Sequence, residues 1–267
     1  MLFDAYLAKG LSEYLDMMQP LIPMFHLAYL ILVNRLALFG NRFRSPFEWF
    51  VTFHYGMFLF FPFGWLWVQL GKSGPASFAR MVEGGIPMWI PGMSFGLSGL
   101  HFILTSLLIF LWFSEAKSPQ NDFDFRKVRW WSYLVLPVIL WGFVYPFRQG
   151  GQPGQFIFLG LSGLWGSPFG ALMNPTSTVL LGLLTFIFPR VNLKLFIGSA
   201  SVLLLIALIT ARSSPLDWPM ALLAGFNLLL GLILAIKRKK APSSSENPEI
   251  IAPSSAPRSA PRSVIPK

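Results

Sequence analysis

The chain reads as all-α, a polytopic transmembrane helix bundle of about seven spans with a broken or re-entrant segment near residues 156–178. Three observations carry that reading. Only 12% of the 267 residues are charged and mean hydropathy is +0.58, whereas a soluble domain carries about 25% charged residues. Between Phe125 and Leu216 there is no Asp or Glu, too few charges for a water-facing surface of that length. Apolar runs of about 20 residues, the length that crosses a hydrocarbon core at 1.5 Å per residue, recur along the chain.

The first span is expected at Pro20–Phe39 and the second at Phe50–Leu70. The third apolar run, Ile86–Phe113, carries Pro87 and Pro91 near its start. It therefore reads as an interfacial lead-in followed by the true span from about Gly92. A fourth span covers Trp130–Phe147, and the later half offers Phe156–Phe188, Leu195–Ala211 and Trp218–Ile236. The zone 156–188 is too short for two full crossings and long for one. Gly160, Gly163, Gly166, Pro168 and Gly170 loosen its first half, and Asn174–Pro175–Thr176 interrupts it. It counts as one net crossing, with a broken or re-entrant piece.

Positive charge sets the orientation. Arg42 and Arg44, then Lys117, Arg126, Lys127 and Arg129, then Lys237–Arg238–Lys239–Lys240 all belong on the cytoplasmic side if basic loops stay inside. An odd number of crossings satisfies all three groups, and Arg190 and Lys194 then join them. Seven spans with the N-terminus outside and the C-terminus cytoplasmic is the resulting topology, and eight spans is the alternative. The location is a cell inner (cytoplasmic) membrane. Residues 1–19 form an extracytoplasmic amphipathic or loop segment, 20–236 the helical domain, and 237–267 a basic, then Pro/Ser-rich disordered tail. The opening residues hold Asp4, Glu13 and Asp16 against a single Lys9, the wrong charge pattern for a signal peptide.

Several function classes are excluded or disfavoured. The chain has no cysteine, so disulfides, thiolate metal sites and cysteine nucleophiles are ruled out. The net charge of +10 sits at helix ends and in the tail, which suits anionic lipid headgroups rather than nucleic acid. The expected partners are membrane lipid and, in one reading, another membrane protein. No cofactor is expected. His26, His54 and His101 fall on the first three spans, but His26 and His54 are expected to differ in depth by more than about 10 Å, too far to share an ion. No zinc motif, phosphate loop, nucleophile elbow or intramembrane carboxylate pair is recognisable.

Two sets of residues could line a solute or ion path. Ser98, His101 and Thr105 are spaced three and four apart, so they share one face of the third span, and an ionisable group near the midplane is costly enough to be commonly functional. Asn174, Thr176 and Thr178 stand beside Pro168 and Pro175, which free backbone carbonyls. Non-helical backbone at that depth is tolerable only when covered by protein or facing a cavity. The competing reading makes the segment a tight turn capped by Asn174 and Thr176, with Pro175 as a helix starter. Glu48 is expected at the headgroups beside Arg35, and Asn227 in a helix–helix hydrogen bond.

Tyr145–Pro146, Phe169–Gly170, Pro175–Thr176 and Gly182–Leu183–Leu184 follow one another in an order that resembles a bacterial multi-pass membrane family of unknown function. The resemblance extends over most of residues 20–236. It departs from the family pattern at Asn174, where a cysteine would precede the proline, and in residues 149–160, which lack a histidine. It implies a single membrane unit and brings no activity. The residues themselves leave three classes open: a small-solute or ion permease, a structural or assembly subunit of a larger membrane complex, and a membrane enzyme acting on lipid or quinone.

Overall fold

A computed structural model describes residue 18 and residues 20–73, 95–145, 167–211 and 215–240. Helix α1 (Ile22–Phe39) starts on Pro23, whose missing N–H costs nothing in a first turn, and stops at Gly40, where φ is 55°. A short 310 turn (Gly40–Phe43) leads into α2 (Arg44–Ser73). Helix α3 (Phe95–Lys117) returns to the same end. A 310 stretch (Trp130–Val135) continues into α4 (Leu136–Phe143). The last three helices are α5 (Met173–Phe186), α6 (Leu193–Thr210) and α7 (Trp218–Lys240). Among the described residues there is no strand, only an isolated bridge between Phe169 and Leu172.

The protein is an all-α, multi-pass membrane protein. Three stretches are long and apolar enough to cross a bilayer: Ile22–Leu59, which joins α1 to the first part of α2, then Leu193–Thr210 and Trp218–Lys239. Large apolar side chains such as Met24, Phe110, Leu140 and Leu222 stand exposed on α1, α3, α4 and α7, the surface expected where the solvent is lipid rather than water. Trp130 and Trp218 are also exposed, at helix starts where interfacial anchoring places such rings.

Helix α5 occupies the centre. Twelve of its 14 residues are buried, and it packs on α4, α6 and α7. Helix α4 comes close because Gly142 has no side chain. A Cβ there would lie 2.7 Å from Val179 Cγ2 and 2.8 Å from the Pro175 carbonyl oxygen. Fourteen residues span roughly 21 Å, short of a hydrocarbon core of about 30 Å. The central helix is therefore a partial one, and its head begins inside the protein.

Two predicted spans take a different form. The second helix starts at Arg44, ahead of the expected Phe50, because Arg44 and Glu48 turn inward onto Asn121 instead of requiring water. The fourth predicted span, Trp130–Phe147, holds an α-helix of only 8 residues preceded by 6 residues of 310 helix. Pro137 fixes the changeover, and at about 2.0 Å rise per 310 residue the pair still reaches roughly 24 Å. Residues 1–17, 156–166 and 241–267, on which parts of the predicted segment boundaries rest, lie outside the described residues.

The loops rich in basic residues meet at one end of the bundle. Asn41 Nδ2 donates to Asp122 Oδ1 at 2.8 Å, Arg190 donates to Asp122 Oδ2 at 3.0 Å, and Arg238 donates to the Pro189 carbonyl at 3.3 Å. Desolvation opposes ionisation of Asp122, yet the donors Asn41, the Asp124 N–H and Arg190 outweigh it and hold the carboxyl below its ordinary value.

Candidate functional site

The head of α5 rests on a buried turn, residues 167–172. The Pro168 carbonyl accepts the N–H groups of Ala171 (3.0 Å) and Leu172 (2.8 Å), and Gly170 takes a φ of 81°. Only glycine adopts that conformation at no steric cost, and a Cβ there would overlap Phe25. Two side chains satisfy what the turn leaves open. Thr176 Oγ1 accepts from the Gly170 N–H at 2.8 Å and donates to the Leu172 carbonyl at 2.8 Å. His54 Nε2 lies 2.7 Å from the Gly170 carbonyl and Nδ1 lies 3.0 Å from the Tyr29 hydroxyl. A carbonyl can only accept, so Nε2 carries the hydrogen, and in the neutral ring Nδ1 then accepts from Tyr29.

Around this turn the rings close up. Phe169 stands 5.0 Å from His26, 5.0 Å from Tyr29 and 4.4 Å from Phe143, measured between centroids, while Phe25 stacks on His54 at 4.7 Å. The two histidines thus border one aromatic cluster, contrary to the expected separation in depth. The reason is the early start of α2, which lifts His54 further from the basic end than a start at Phe50 would. Beside the turn, the Tyr55 hydroxyl and Ser177 Oγ are 2.9 Å apart, and Thr105 Oγ1 donates to Met173 Sδ at 3.4 Å.

A second polar group tops α5. Asn174 Nδ2 donates to Asp217 Oδ2 at 2.9 Å and to Thr210 Oγ1 at 3.2 Å, and the Tyr145 hydroxyl donates to Asp217 Oδ1 at 2.7 Å. Burial pushes the Asp217 carboxyl above its ordinary value, and the hydrogen bonds from Tyr145, Thr210 and Asn174 offset this only in part. Four segments, the ends of α4 and α6 and the starts of α5 and α7, are tied together here.

A third group lies near the basic end. Glu48 and Glu115 are both fully buried. Glu115 Oε1 accepts from the N–H groups of Gln120 (2.6 Å) and Asn121 (2.7 Å), and its Oε2 accepts from Asn192 Nδ2. Glu48 Oε1 accepts from Asn121 Nδ2 at 3.2 Å. Glu48 Oε2 has no partner, a condition shared among the buried side-chain polar atoms of the described residues only by Ser132 Oγ and Ser199 Oγ. The Asn121 carbonyl takes Arg44 at 2.5 Å, and Asn121 Oδ1 takes the Asn192 N–H at 2.8 Å.

The predicted site residues are distributed differently from the expected path. Thr105, Thr176 and Thr178 are buried, and Asn174 is half-buried. Thr178 bonds back to its own helix at Asn174 O, Thr176 serves the turn, and Asn174 reaches Asp217 rather than capping α5. Ser98 and His101 lie on α3, with side chains outside the described residues. Asn227 does bond across helices, donating to Thr185 Oγ1 at 2.6 Å.

Two expectations are corrected. Glu48 is buried against Asn121 instead of pairing with Arg35, whose guanidinium sits 5.5 Å over the Phe39 ring. A carboxylate pair does exist inside the bundle. Its signal was available: Glu48 lies near the start of α2 and Glu115 near the end of α3, and helices that leave from and return to one end bring such positions to one level. Among the described residues no group of three or more metal-ligating side chains converges. Comparison with family models, with curated proteins and with solved structures finds no match to this chain, so the resemblance stays at the level of its motifs.

Proposed function

We propose that the protein is a permease for a small solute or ion, with its path along the head of α5. The observation that carries this reading is the central partial helix, buried on nearly all sides, whose head starts within the bundle on a non-helical turn. Non-helical backbone at membrane depth stands where protein covers it or a cavity faces it, and the broken helices of transporters are among those places. His54, Tyr55, Thr105, Thr176 and Ser177 supply the polar lining, with Ser98, His101, Asn174 and Thr178 on the same helices. Seven crossings with the N-terminus outside and the C-terminus cytoplasmic suit a chain whose basic loops share one end. An inner membrane is the location this topology implies.

The test is transport in lipid vesicles. Purified protein is reconstituted, and fluxes of protons, sodium, potassium, chloride and small neutral solutes are followed with entrapped dyes and isotopes. Protein-dependent flux that falls at least about tenfold in Thr176→Val, at equal protein content, supports the reading. Absence of flux for the whole panel, together with a stoichiometric protein partner in native preparations, replaces it with the subunit reading.

A further inference from the structure

The carboxylate pair at the basic end is chemically incomplete. Glu115 is saturated by three nitrogen donors, from Gln120, Asn121 and Asn192. Glu48 Oε1 has Asn121, while Glu48 Oε2 is sealed from solvent and has no donor, and the same Asn121 holds both acids, its N–H on Glu115 and its Nδ2 on Glu48. Two ionised carboxylates held on one asparagine repel each other, and burial removes the water that would screen them. Arg44, on the same helix as Glu48, donates its guanidinium to the Asn121 carbonyl and forms no ion pair with Glu48. One layer further out, Asp122 and Arg190 pair with each other.

What completes the pair must be positive and small. A metal ion takes several oxygen ligands, six or so for the hard cations. Here the Glu115 oxygens, Glu48 Oε1, the Asn121 carbonyl and Asn121 Oδ1 already accept hydrogen bonds, which leaves one free oxygen. A proton needs only that oxygen and an acceptor opposite it. We propose that Glu48 and Glu115 form a proton-binding site, with one proton held between Glu48 Oε2 and the Glu115 carboxylate. Asn121 bonds both acids, through its N–H and its Nδ2, so displacement of that residue would expose the pair. In a permease such a site couples solute movement to a proton. That coupling rests on the permease reading, whereas the proton site does not.

Infrared spectroscopy of the full-length protein in lipid nanodiscs at neutral pH, in H2O and in D2O, reads the proton directly. The expected result is a deuterium-sensitive carbonyl band of a protonated carboxyl, kept in Asp217→Asn and absent from Glu48→Gln. The glutamine amide N–H takes the place of the proton, so Glu48→Gln should also melt no lower than the parent protein. Equal bands in the parent and Glu48→Gln proteins overturn the proposal, as does a Glu48→Gln protein that fails to fold. Loss of the band on adding sodium or potassium chloride assigns the site to a metal cation and overturns it as well. A band that behaves as expected in a protein showing no flux removes only the permease reading, and flux without the band removes only the proton site.

Discussion

Replacing Gly170 by alanine strikes the turn on which α5 begins. At φ 81° an alanine pays about 1–2 kcal/mol in local strain. Its Cβ also overlaps Phe25 Cβ and would lie 2.8 Å from Phe25 Cγ. Phe25 Cβ is fixed to the α1 backbone and cannot rotate away, so α1 or the turn must shift, at about 1–3 kcal/mol. Any such shift lengthens the bond from His54 to the Gly170 carbonyl, and a buried carbonyl left unpaired costs about 1–3 kcal/mol. These contributions share one displacement and do not add fully, giving roughly 3–5 kcal/mol in sum. At about 2–4 °C per kcal/mol for a chain of this size, the midpoint of thermal unfolding should fall by roughly 6–20 °C. The assay is thermal unfolding of purified protein in one detergent, at one scan rate. Gly56→Ala is the control, because nothing lies within 4 Å of its Cβ and a helical alanine gains about 0.5–1 kcal/mol. A Gly170→Ala protein melting within about 2 °C of the parent would refute the account of the turn.

Asp217, with its raised carboxyl, keeps its proton in the folded protein at pH values where the unfolded chain has lost it. Its contribution is complete below the ordinary Asp range and is lost as pH rises through the raised value, so Asp217→Asn should flatten that decline in a melting series from about pH 4 to 7. Asp122 has the opposite sign: its contribution is present above the ordinary Asp value and is lost as pH falls through the lowered one. Arg190→Gln should therefore lower stability slightly at neutral pH, by less than about 1 kcal/mol for a partly exposed pair, with the difference in melting point vanishing in acid. Asn227→Leu should cost about 1 kcal/mol by removing the donor to Thr185, and adding Thr185→Val should recover part of that loss in the same melting assay.

Helices bounded by charge or proline were legible at once. Pro20–Phe39 was expected where α1 covers Ile22–Phe39, and Leu195–Ala211 where α6 covers Leu193–Thr210. The start of α2 was not, because Arg44 and Glu48 look like loop residues until Asn121, more than seventy positions away, arrives to bond them. The fourth span was legible as an apolar run, yet its division into 310 and α segments was not, since both windings suit the same apolar stretch. Within the site, Thr176 was singled out for the right turn. Its partner His54 was not, because only the folded α1–α2 hairpin sets its level.

The chain's own composition determines its solvent and its helices. Lipid responds to local averages, to apolar length and to where charges stop, and those are properties of consecutive residues. Which polar groups survive inside the bundle was decided only by tertiary structure. A buried acid, amide or imidazole is stable in proportion to the donors and acceptors brought to it. For Glu115 those are Gln120, Asn121 and Asn192, for Asp217 Tyr145 and Asn174, and for His54 Tyr29 and the Gly170 carbonyl. No window along the sequence contains any of these sets.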